Sequence, residues 1–553
     1  MKWKTLKHNG ILFPPPFESQ GIKIKIKGEK VDLDLLQEEM IYQWAKKKDT
    51  PYAQDKVFQK NFVKDFAKTL PSKFKNISLS DIDFSAANKV VDKEKDAKEA
   101  MSKEAKKSLA AKRKKLREEM KEKYGKAIMD GKEVEVANYM AEPPGIFIGR
   151  GEHPIRGRWK PRVTPKDVTL NLGKEAKVPA GNWGKIIHEK DFMWLASWMD
   201  VLTQKRKYVW LADTAGLKQE RDQAKYDKAV KLAKEIQKIK EQMVKNLKSK
   251  DPKVRRIATA CYLIYRTAMR VGDEKDPDEA DTVGATTLRT EHIKLTPNAI
   301  EFDFLGKDSV RWQEKVPAVG DDKQFYDNLK ELTKNKKPKD EIFHGITSRH
   351  VNAFFSGIVN GLTAKVFRTY LATNVVKEYL KKHDNIKSKS ENEKIYHAKL
   401  ANLEAARMCN HKRTIPKTFE QSLDKKRDTL KKVEKDQPWK KTQETLKKVE
   451  TTNPKTDAQK KTKEKRIKTL NEQIKKQKKK HKERLEKLEL QIDLSEKTKD
   501  YNIGTSLRNY IDPRVFKAWT DEVGAEWEKL YTSALQKKFL WVKNENVKWQ
   551  ELK

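Results

Sequence analysis

The sequence predicts a multidomain α+β protein that is mainly helical. Three observations support this fold class. The 553-residue chain is too long for a single hydrophobic core. Apolar residues three or four positions apart dominate from Tyr226 to about Asn410, which is typical of amphipathic helices. Charged residues make up 37% of the chain and hydrophobic residues 36%, so part of it must be solvated helix rather than core.

The N-terminal part is expected to be a mixed α/β domain. ILFPPPF is too rich in proline to be helical. In GIKIKIKGEKVDL the isoleucines alternate with lysines, which predicts a strand with one cationic, solvated face. Residues 34–72 have helical spacing, and residues 92–127 predict a long exposed helix or a helix pair. FMWLASWMD and KYVWLAD predict two further strands.

The following region is expected to be helical with one exception. VRRIATACYLIYRTAM predicts an amphipathic helix that Gly272 can end, with Arg270 at its C-terminus. IEFDFLGKDSVRWQEKV predicts a β-hairpin with a turn from Gly306 to Ser309. LTAKVFRTYLATNVVKEYLKKH and EKIYHAKLANLEAARMCN predict two more helices.

Residues 424–500 are rich in lysine and low in complexity. Pro438 and Pro454 interrupt apolar residues at coiled-coil spacing, which predicts an antiparallel helical hairpin projecting into solvent. A disordered linker is the alternative. The last 53 residues regain tryptophans, which predicts a packed C-terminal piece.

The charge balance indicates a polyanionic partner. Subtracting 81 acidic from 123 basic residues gives +42, and nucleic acid is the commonest polyanion. A ribosome-associated or merely soluble lysine-rich protein is the alternative. Cys261 and Cys409 lack zinc-ligand spacing, and no apolar run reaches 18 residues, so we expect a soluble intracellular protein without a membrane partner.

No nucleotide or metal motif is present in the sequence. It has no G-x-x-x-x-G-K-[ST] loop, so ATP hydrolysis is not expected. The acidic run at 273–281 lacks the glycine and terminal glutamate of a calcium loop, and a solvated loop is the better interpretation. We therefore expect no cofactor, with neither ATP nor a divalent metal required.

Metal-free phosphoryl transfer needs fixed cations, a general acid and a nucleophile. Forked arginine donors match phosphate oxygens, and a tyrosine can hold a broken strand if cations favour its phenolate. The candidates are Arg270, Lys307, Arg368, His411 and Tyr510. Each residue type alone is more often structural, so composition and spacing leave their roles open.

Six ordered blocks make these candidates specific together. The blocks are EPPGIFIGRGEHP, DTVGATTLRTEHIKL, EFDFLGKDSVRW, GLTAKVFRTY, CNHKRTIPKTFE and GTSLRNYIDPR. In this order they closely resemble the eukaryotic-type DNA topoisomerase IB family. The likeness runs from KWKTLKHNGILFPPPF at the start to FLWV near the end, and so covers nearly the whole chain.

The resemblance implies a bilobed clamp around double-stranded DNA, acting as a monomer. It implies a catalytic domain related to tyrosine recombinases. The expected divisions are a DNA-clamp or cap domain at 1–215, a catalytic core at 216–413, a lysine-rich antiparallel helical linker at 414–499, and a small helical C-terminal domain at 500–553. The expected location is intracellular and DNA-associated: the nucleoid of an archaeal cell or the nucleus of a eukaryotic one.

The resemblance also implies site roles. Tyr510 matches the nucleophile, Lys307 the general acid, and Arg270, Arg368 and His411 the donors to the scissile phosphate. The positions that match DNA contacts are Arg150, Asp308, Lys365, Thr505 and Asn509.

The implied activity is relaxation of supercoiled duplex DNA without ATP or metal. It proceeds through transient single-strand cleavage, a 3′-phosphotyrosyl intermediate, strand rotation and religation. A tyrosine recombinase-like strand transferase and a non-catalytic basic DNA-binding protein are the alternatives.

The chain departs from the family pattern in three respects, one of which is FIGRG in place of a more basic FRGRG. The usual Ser-Lys-Leu-Asn-Tyr is Ser-Leu-Arg-Asn-Tyr here, which puts Arg508 near the tyrosine. The long basic N-terminal extension of nuclear members is not seen, so a compact form of the family is expected.

Overall fold

A computed structural model describes residues 3–272 and 282–552, apart from the side chain of Asp308. Helix accounts for 55% and strand for 13%, in several small sheets, which confirms the mainly helical α+β class. Contacts divide the described chain into two compact units. The first comprises 3–223, 282 and 305–309, and the second comprises 224–272, 283–304 and 310–552. The four-domain division remains a prediction.

The first unit contains four small sheets and four helices before the long helix that follows it. Its strands are β1 Leu6–His8, β2 Ile24–Ile26, β3 Glu29–Val31, β4 Ile82–Asp83, β5 Lys126–Met129, β6 Lys132–Glu135, β7 Gly145–Ile146, β8 Trp159–Lys160, β9 Val168–Asn171, β10 Lys185–Ile187, β11 Trp194–Asp200 and β12 Lys205–Trp210. Its helices are α1 Leu35–Ala45, α2 Lys56–Ala67, α3 Ser85–Ala100 and α4 Lys103–Tyr124.

The alternating pattern at 22–26 forms the predicted strand. Ile22, Ile24 and Ile26 are buried while the lysines between them are exposed. Burying three isoleucine side chains contributes roughly 2 kcal/mol each to stability. Trp44 of α1 stacks on Phe62 of α2 with ring centroids 4.4 Å apart, which extends this core.

The alanine- and lysine-rich segment at 92–127 forms the predicted exposed helix pair, α3 and α4. The break lies at Met101, and the Ser102 side chain caps α4 by accepting a hydrogen bond from the Ala105 amide. No residue of α4 is buried. The helix therefore depends on its own propensity and capping more than on packing.

The largest sheet of the first unit has the strand order β10-β9-β11-β12. The β11 and β12 strands are antiparallel, which confirms the two strands predicted from FMWLASWMD and KYVWLAD. One face packs on a core that includes Leu170, Leu195 and Val209.

The second unit is mainly helical. Its elements are the three-stranded sheet β13 Ile293–Thr296, β14 Ala299–Gly306 and β15 Val310–Pro317, and the helices α5 Gly216–Leu247 (entering from the first unit), α6 Pro252–Thr267, α7 Asp321–Thr333, α8 Ser348–Ile358, α9 Ala364–Lys381, α10 Glu391–Met408, α11 Phe419–Lys435, α12 Lys440–Glu450, α13 Asp457–Lys497, α14 Ile503–Asn509, α15 Pro513–Val523, α16 Ser533–Lys538 and α17 Trp549–Leu552. The predicted hairpin is β14–β15, with its turn at Lys307–Ser309.

The prediction for the end of α6 was wrong. The helix ends at Thr267, and Ala268 adopts a left-handed conformation with φ 50°. The Thr267 hydroxyl donates to the Leu263 carbonyl and accepts from the Met269 amide, which satisfies groups that a longer helix would pair. Arg270 therefore lies beyond the helix rather than at its end.

The lysine-rich segment at 424–500 is a helical hairpin, as predicted. One arm consists of α11 and α12, separated around Pro438, and the other is the continuous helix α13. It does not project entirely into solvent, because the C-terminal part of α13 packs on α10. There Tyr396 of α10 donates a hydrogen bond to Asp493 of α13.

The C-terminal segment is packed, as its tryptophans predicted. Trp519, Trp527 and Trp549 are buried in one cluster with Ala398 and Ala405 of α10. This packing attaches α14 and α15 to the helices that carry the other candidate residues of the second unit.

Candidate functional site

Tyr510 is the residue that follows the short helix α14. Its amide donates to the Ser506 carbonyl at 2.9 Å, and its own carbonyl accepts from the Thr373 hydroxyl at 3.2 Å. The Thr373 hydroxyl also accepts from the Asp512 amide at 3.1 Å. Thr373 of α9 therefore holds the backbone on both sides of Ile511, with the Tyr510 ring half-buried.

A buried polar pair holds α14 against α10. The Ser506 hydroxyl donates to Asn402 Oδ1 at 2.8 Å, and Asn402 Nδ2 donates to the Ile503 carbonyl at 3.0 Å. Asn402 and Ser506 are almost fully buried. Because buried polar groups are costly when unpaired, this pair favours a single placement of the helix before Tyr510.

His411 is placed by the C-terminus of α10. Asn410 takes a left-handed conformation with φ 47°, which asparagine tolerates. Its amide donates to the Arg407 carbonyl, and the His411 amide donates to the Ala406 carbonyl at 2.8 Å. These two bonds form a Schellman motif, which reverses the chain and turns His411 back toward the helix.

A short backbone pairing joins the two ends of the lysine-rich hairpin. The Asn502 amide donates to the His411 carbonyl at 2.7 Å, and the Arg413 amide donates to the Asp500 carbonyl at 2.8 Å. Because these hydrogen bonds join the two ends of the hairpin, His411 and Tyr510 lie close together although the segment from Arg413 to Asp500 separates them in sequence. Their ring centroids are 5.3 Å apart.

Arg368 lies on α9, which begins at the N-cap Thr363. Its guanidinium is buried, with Cζ 4.9 Å from the centre of the Tyr510 ring. One nitrogen, Nη2, donates to the Cys409 carbonyl. Arg368 thus links the end of α10 to the tyrosine.

Arg270 enters the cluster from the segment after α6. Its carbonyl accepts from the Ala285 amide at 2.8 Å, and the Val271 carbonyl accepts from the Thr286 amide at 2.7 Å. Gly272 has φ 83°, and a Cβ there would lie 2.9 Å from Gly284 Cα. Gly272 thus permits close approach of two chain segments, instead of ending a helix.

The Arg270 guanidinium interacts electrostatically with the Tyr510 side chain. Burial and then the neighbouring Arg368 lower the pKa of Arg270, while Tyr510 opposes that shift. Two guanidinium groups therefore lie beside one phenol.

Several buried polar atoms of this cluster have no hydrogen-bond partner within the described part of the chain. They are Arg368 Nε and Nη1 and the two ring nitrogens of His411. Burial, then Arg368 and Arg270, lowers the pKa of His411 to about 3, so its ring is neutral at physiological pH. A neutral imidazole offers one N–H donor. The cluster therefore combines a tyrosine hydroxyl, two cations and a neutral donor, which suits an oxyanion such as a phosphate diester.

A second set of candidate residues lies in the first unit. Lys307 is exposed at the β14–β15 turn, beside Ser309, whose φ is 56°. A Cβ at Gly151 would collide with the Ser309 hydroxyl, so the loop that carries Arg150 packs against this turn. Arg150 itself is exposed. The structure thus brings together the Arg150 loop and the turn of Lys307, while the side chain of Asp308 lies outside the described part.

Within residues 3–272 and 282–552, no group of three or more His, Cys, Asp or Glu residues could hold a metal ion. The acidic run at 273–281 lies outside those residues. Over the same described ranges, no helix has both the length and the apolarity needed to cross a membrane.

Comparison with known proteins identifies the family. A model described as eukaryotic DNA topoisomerase I, DNA binding fragment, matches residues 1–211. The eukaryotic DNA topoisomerase I catalytic core matches residues 214–445, and a C-terminal topoisomerase domain matches 482–551.

The relatives agree. DNA topoisomerase 1 of Homo sapiens is 37% identical over 567 residues, covering 98% of this chain and 71% of the human protein. DNA topoisomerase 1 alpha of Arabidopsis thaliana is 38% identical, covering 98% of this chain and 58% of its own length. DNA topoisomerase 1 of Xenopus laevis is 36% identical, covering 98% and 65%.

The chain belongs to the eukaryotic DNA topoisomerase I family. It is therefore a type IB DNA topoisomerase, and it binds DNA.

Four predicted site residues of this topoisomerase lie around one point: Arg270, Arg368, His411 and Tyr510. Lys365 is exposed on α9, one turn before Arg368. Thr505 and Asn509 are half-buried on α14. The Asn509 side chain donates to the Thr505 carbonyl at 3.1 Å. The backbone carbonyl of Asn509 accepts a hydrogen bond from the Lys225 side chain at 3.1 Å. Arg508 is exposed in the last turn of the same helix.

Sequence reasoning missed Asn402 and Thr373, the residues that hold the backbone of the topoisomerase around Tyr510. A signal existed for Asn402, because KLANLEAARM places an asparagine among alanines on a helix with few other small polar residues. A polar residue on the buried side of a helix requires a partner. No comparable signal marks Thr373.

Proposed function

We propose that Tyr510, Arg270, Arg368 and His411 form the cleavage centre of this topoisomerase. The observation that carries the proposal is the packing of Arg368 and His411 against the Tyr510 ring, with buried polar atoms of both left unpaired. A tyrosine held only for packing needs no such set of donors. Desolvating two guanidinium groups is costly unless an anion compensates.

The reaction begins with attack of the Tyr510 hydroxyl oxygen on a backbone phosphorus of duplex DNA, and the phenol proton passes to solvent water. A bond forms between that oxygen and phosphorus, and the bond from phosphorus to the 5′ oxygen breaks. Negative charge builds on the non-bridging oxygens, where Arg270, Arg368 and the neutral His411 donate. The product is a 3′-phosphotyrosyl linkage and a free 5′ hydroxyl.

Lys307 is proposed as the general acid that protonates the leaving 5′ oxygen. An exposed lysine at a hairpin turn has the reach and rotational freedom to place its ammonium at a phosphate. A Lys307→Ala variant should bind duplex DNA almost as tightly as the parent but cleave it about 10²- to 10⁴-fold more slowly. An equal loss of binding and cleavage would show that Lys307 only anchors DNA.

Religation reverses these steps. The 5′ hydroxyl attacks the phosphotyrosyl phosphorus, and Tyr510 leaves. The linkage stored in the protein is a phosphodiester, so resealing needs no ATP, and the arginines take the place that a metal ion would have. We propose that strand rotation between the two steps relaxes the supercoil, and that the enzyme acts as a monomer without a cofactor.

The DNA-contact roles of Arg150, Asp308, Lys365, Thr505 and Asn509 are part of the same proposal. The support is their match to the family blocks, together with the exposure of Arg150 and Lys365. The proposed location is the nucleus of a eukaryotic cell, since the relatives described above are all eukaryotic.

Plasmid relaxation tests the proposal. Supercoiled plasmid without partner sites is incubated with the enzyme in EDTA and without nucleotide. The expected result is a ladder of topoisomers that collapses to relaxed circles. A requirement for added metal, ATP or a second recombination site would contradict it.

A further inference from the structure

An aromatic ladder lies on the outer face of the sheet in the first unit. It consists of four rings in the order Phe192, Trp194, Tyr208 and Trp210. Their successive centroid distances are 5.6, 5.7 and 5.2 Å. Val209, which lies between the last two on β12, is buried on the opposite face of the sheet. The rings of Tyr208 and Trp210 are therefore on the face of β12 that points away from the core.

Three of the four rings of the ladder are exposed, and Trp194 between them is only 7% exposed. Phe192 is 46% exposed, Tyr208 37% and Trp210 39%. Met199 and Val201 add exposed apolar surface on the same hairpin. Contiguous apolar surface of this kind marks a binding site in a folded protein more often than it occurs by chance. The cleavage reaction proposed above makes no use of it.

Cations lie near the two β12 rings of the ladder, Tyr208 and Trp210. Arg206 precedes Tyr208 by two residues and so lies on the same face of the strand, where it donates to the Ser197 hydroxyl at 3.2 Å. Lys218 Nζ is 6.0 Å from the centre of the Trp210 ring and 3.7 Å from Asp213. The whole chain is also positively charged, with a formal net charge of +42.

Aromatic rings flanked by cations are the means by which proteins bind single-stranded nucleic acid without sequence preference. Bases stack on the rings while phosphates interact with the cations. A duplex hides the faces of its bases, so it cannot use the rings. An apolar peptide could cover the rings but would make no use of the flanking positive charge.

We propose that the aromatic ladder Phe192–Trp194–Tyr208–Trp210 is a binding site for single-stranded nucleic acid. The shared chemistry is an unpaired base joined to a backbone phosphate, which a DNA strand or an RNA strand supplies. The site is made of residues different from those of the cleavage centre, so it functions whether or not Tyr510 is the nucleophile.

The test measures fluorescence anisotropy of a fluorescein-labelled twenty-nucleotide oligo(dT) with the full chain. Unlabelled duplex is present at saturation, so that the duplex site is occupied. Stacking contributes enough that Trp210→Ala should weaken oligo(dT) binding about 5- to 100-fold, and Tyr208→Ala combined with it further. Trp210→Phe keeps a ring and should stay within a few-fold of the parent.

Val201→Ala is the matched control, because it removes exposed apolar surface from the same hairpin without removing a ring. It should bind oligo(dT) like the parent, and so should Tyr510→Phe. An oligo(rU) arm reports whether an RNA strand binds as well as DNA. An alanine variant within twofold of the parent, or an abasic oligomer that binds as tightly as oligo(dT), would overturn the proposal. So would unchanged oligo(dT) binding combined with loss of self-association, which would make the ladder a contact between copies of the chain.

Discussion

Acid should destabilise this topoisomerase through His411. The ring is buried between two arginines and its pKa is lowered to about 3, chiefly by burial and then by Arg368 and Arg270. In the unfolded chain a histidine titrates near an ordinary pKa of about 6.5. The folded state thus binds this proton more weakly than the unfolded state. The stability that the neutral ring contributes is fully present above pH 6.5 and is lost progressively as the pH falls toward 3.

The magnitude follows from the size of the shift. Each pKa unit corresponds to about 1.4 kcal/mol. At pH 4.5 the unfolded histidine is charged while the folded one is still neutral, so this single residue should lower the free energy of unfolding by about 3 kcal/mol relative to pH 7.5. Little screening by solvent is expected, because His411 is only 5% exposed.

Urea unfolding followed by tryptophan emission measures this effect, with the full chain at pH 7.5 and 4.5. The control variant is His411→Gln, which cannot titrate. His8 of the first unit, whose pKa burial lowers to about 4, contributes equally to both proteins and cancels in the comparison. The parent should lose about 3 kcal/mol more than the variant between the two pH values. Equal losses would refute the neutral, buried state of His411.

Three further predictions concern the cleavage centre and DNA binding. Asn402→Ala removes the buried pair that holds α14, at a cost of about 1–3 kcal/mol, and should slow single-turnover cleavage more than it weakens duplex binding. Ser506→Ala keeps the hydrogen bond from Asn402 to Ile503 and should have a milder effect. Equal effects of Asn402→Ala on cleavage and binding would show that this pair does not position Tyr510. Arg368→Lys keeps the charge but loses the forked donors, and should slow cleavage about 10²- to 10³-fold in a suicide-substrate assay; a rate within threefold of the parent would exclude its role as a phosphate donor. Duplex affinity should fall steeply between 50 and 200 mM salt. Replacing the exposed α13 lysines at 475, 476, 479 and 480 by glutamine should make the slope of log affinity against log salt shallower by about one for each DNA phosphate that is no longer neutralised. An unchanged slope would show that these lysines do not contact DNA.

Local patterns were sufficient to predict several secondary-structure elements. The alternation of isoleucine and lysine at 22–26, the alanine- and lysine-rich helix pair and the β14–β15 hairpin all formed as expected. In the strand and the hairpin one face is buried and the other solvated, which the alternation of residues predicts, whereas the helix pair is almost wholly solvated and follows from its composition.

The arrangement around Tyr510 depends on contacts between distant segments, and no local pattern contains them. Arg270 was expected at a helix end, yet Thr267 satisfies the helix carbonyls earlier and leaves it in an extended segment. The Schellman turn at Asn410 was compatible with CNH but not required by it. Thr373 acts on Tyr510 across 137 positions, so only the folded chain reveals it.

The site residues were predicted from the family blocks, because residue spacing and composition alone could not identify them. A tyrosine, two arginines and a histidine have no characteristic spacing in this chain, since they lie on four separate segments. Composition indicated a nucleic-acid partner and the missing motifs argued against ATP. Neither observation could choose Tyr510 from the chain's other tyrosines.

The central claim is that Tyr510 becomes covalently joined to DNA, and trapping that intermediate tests it most directly. A duplex with a cleavable strand too short to religate is incubated with the enzyme in EDTA, and the adduct is digested and mapped by mass spectrometry. We expect one modified peptide, with a 3′-linked nucleotide on Tyr510, and no adduct from Tyr510→Phe. An adduct on a different residue, or plasmid relaxation by Tyr510→Phe at the parent rate, would contradict that claim.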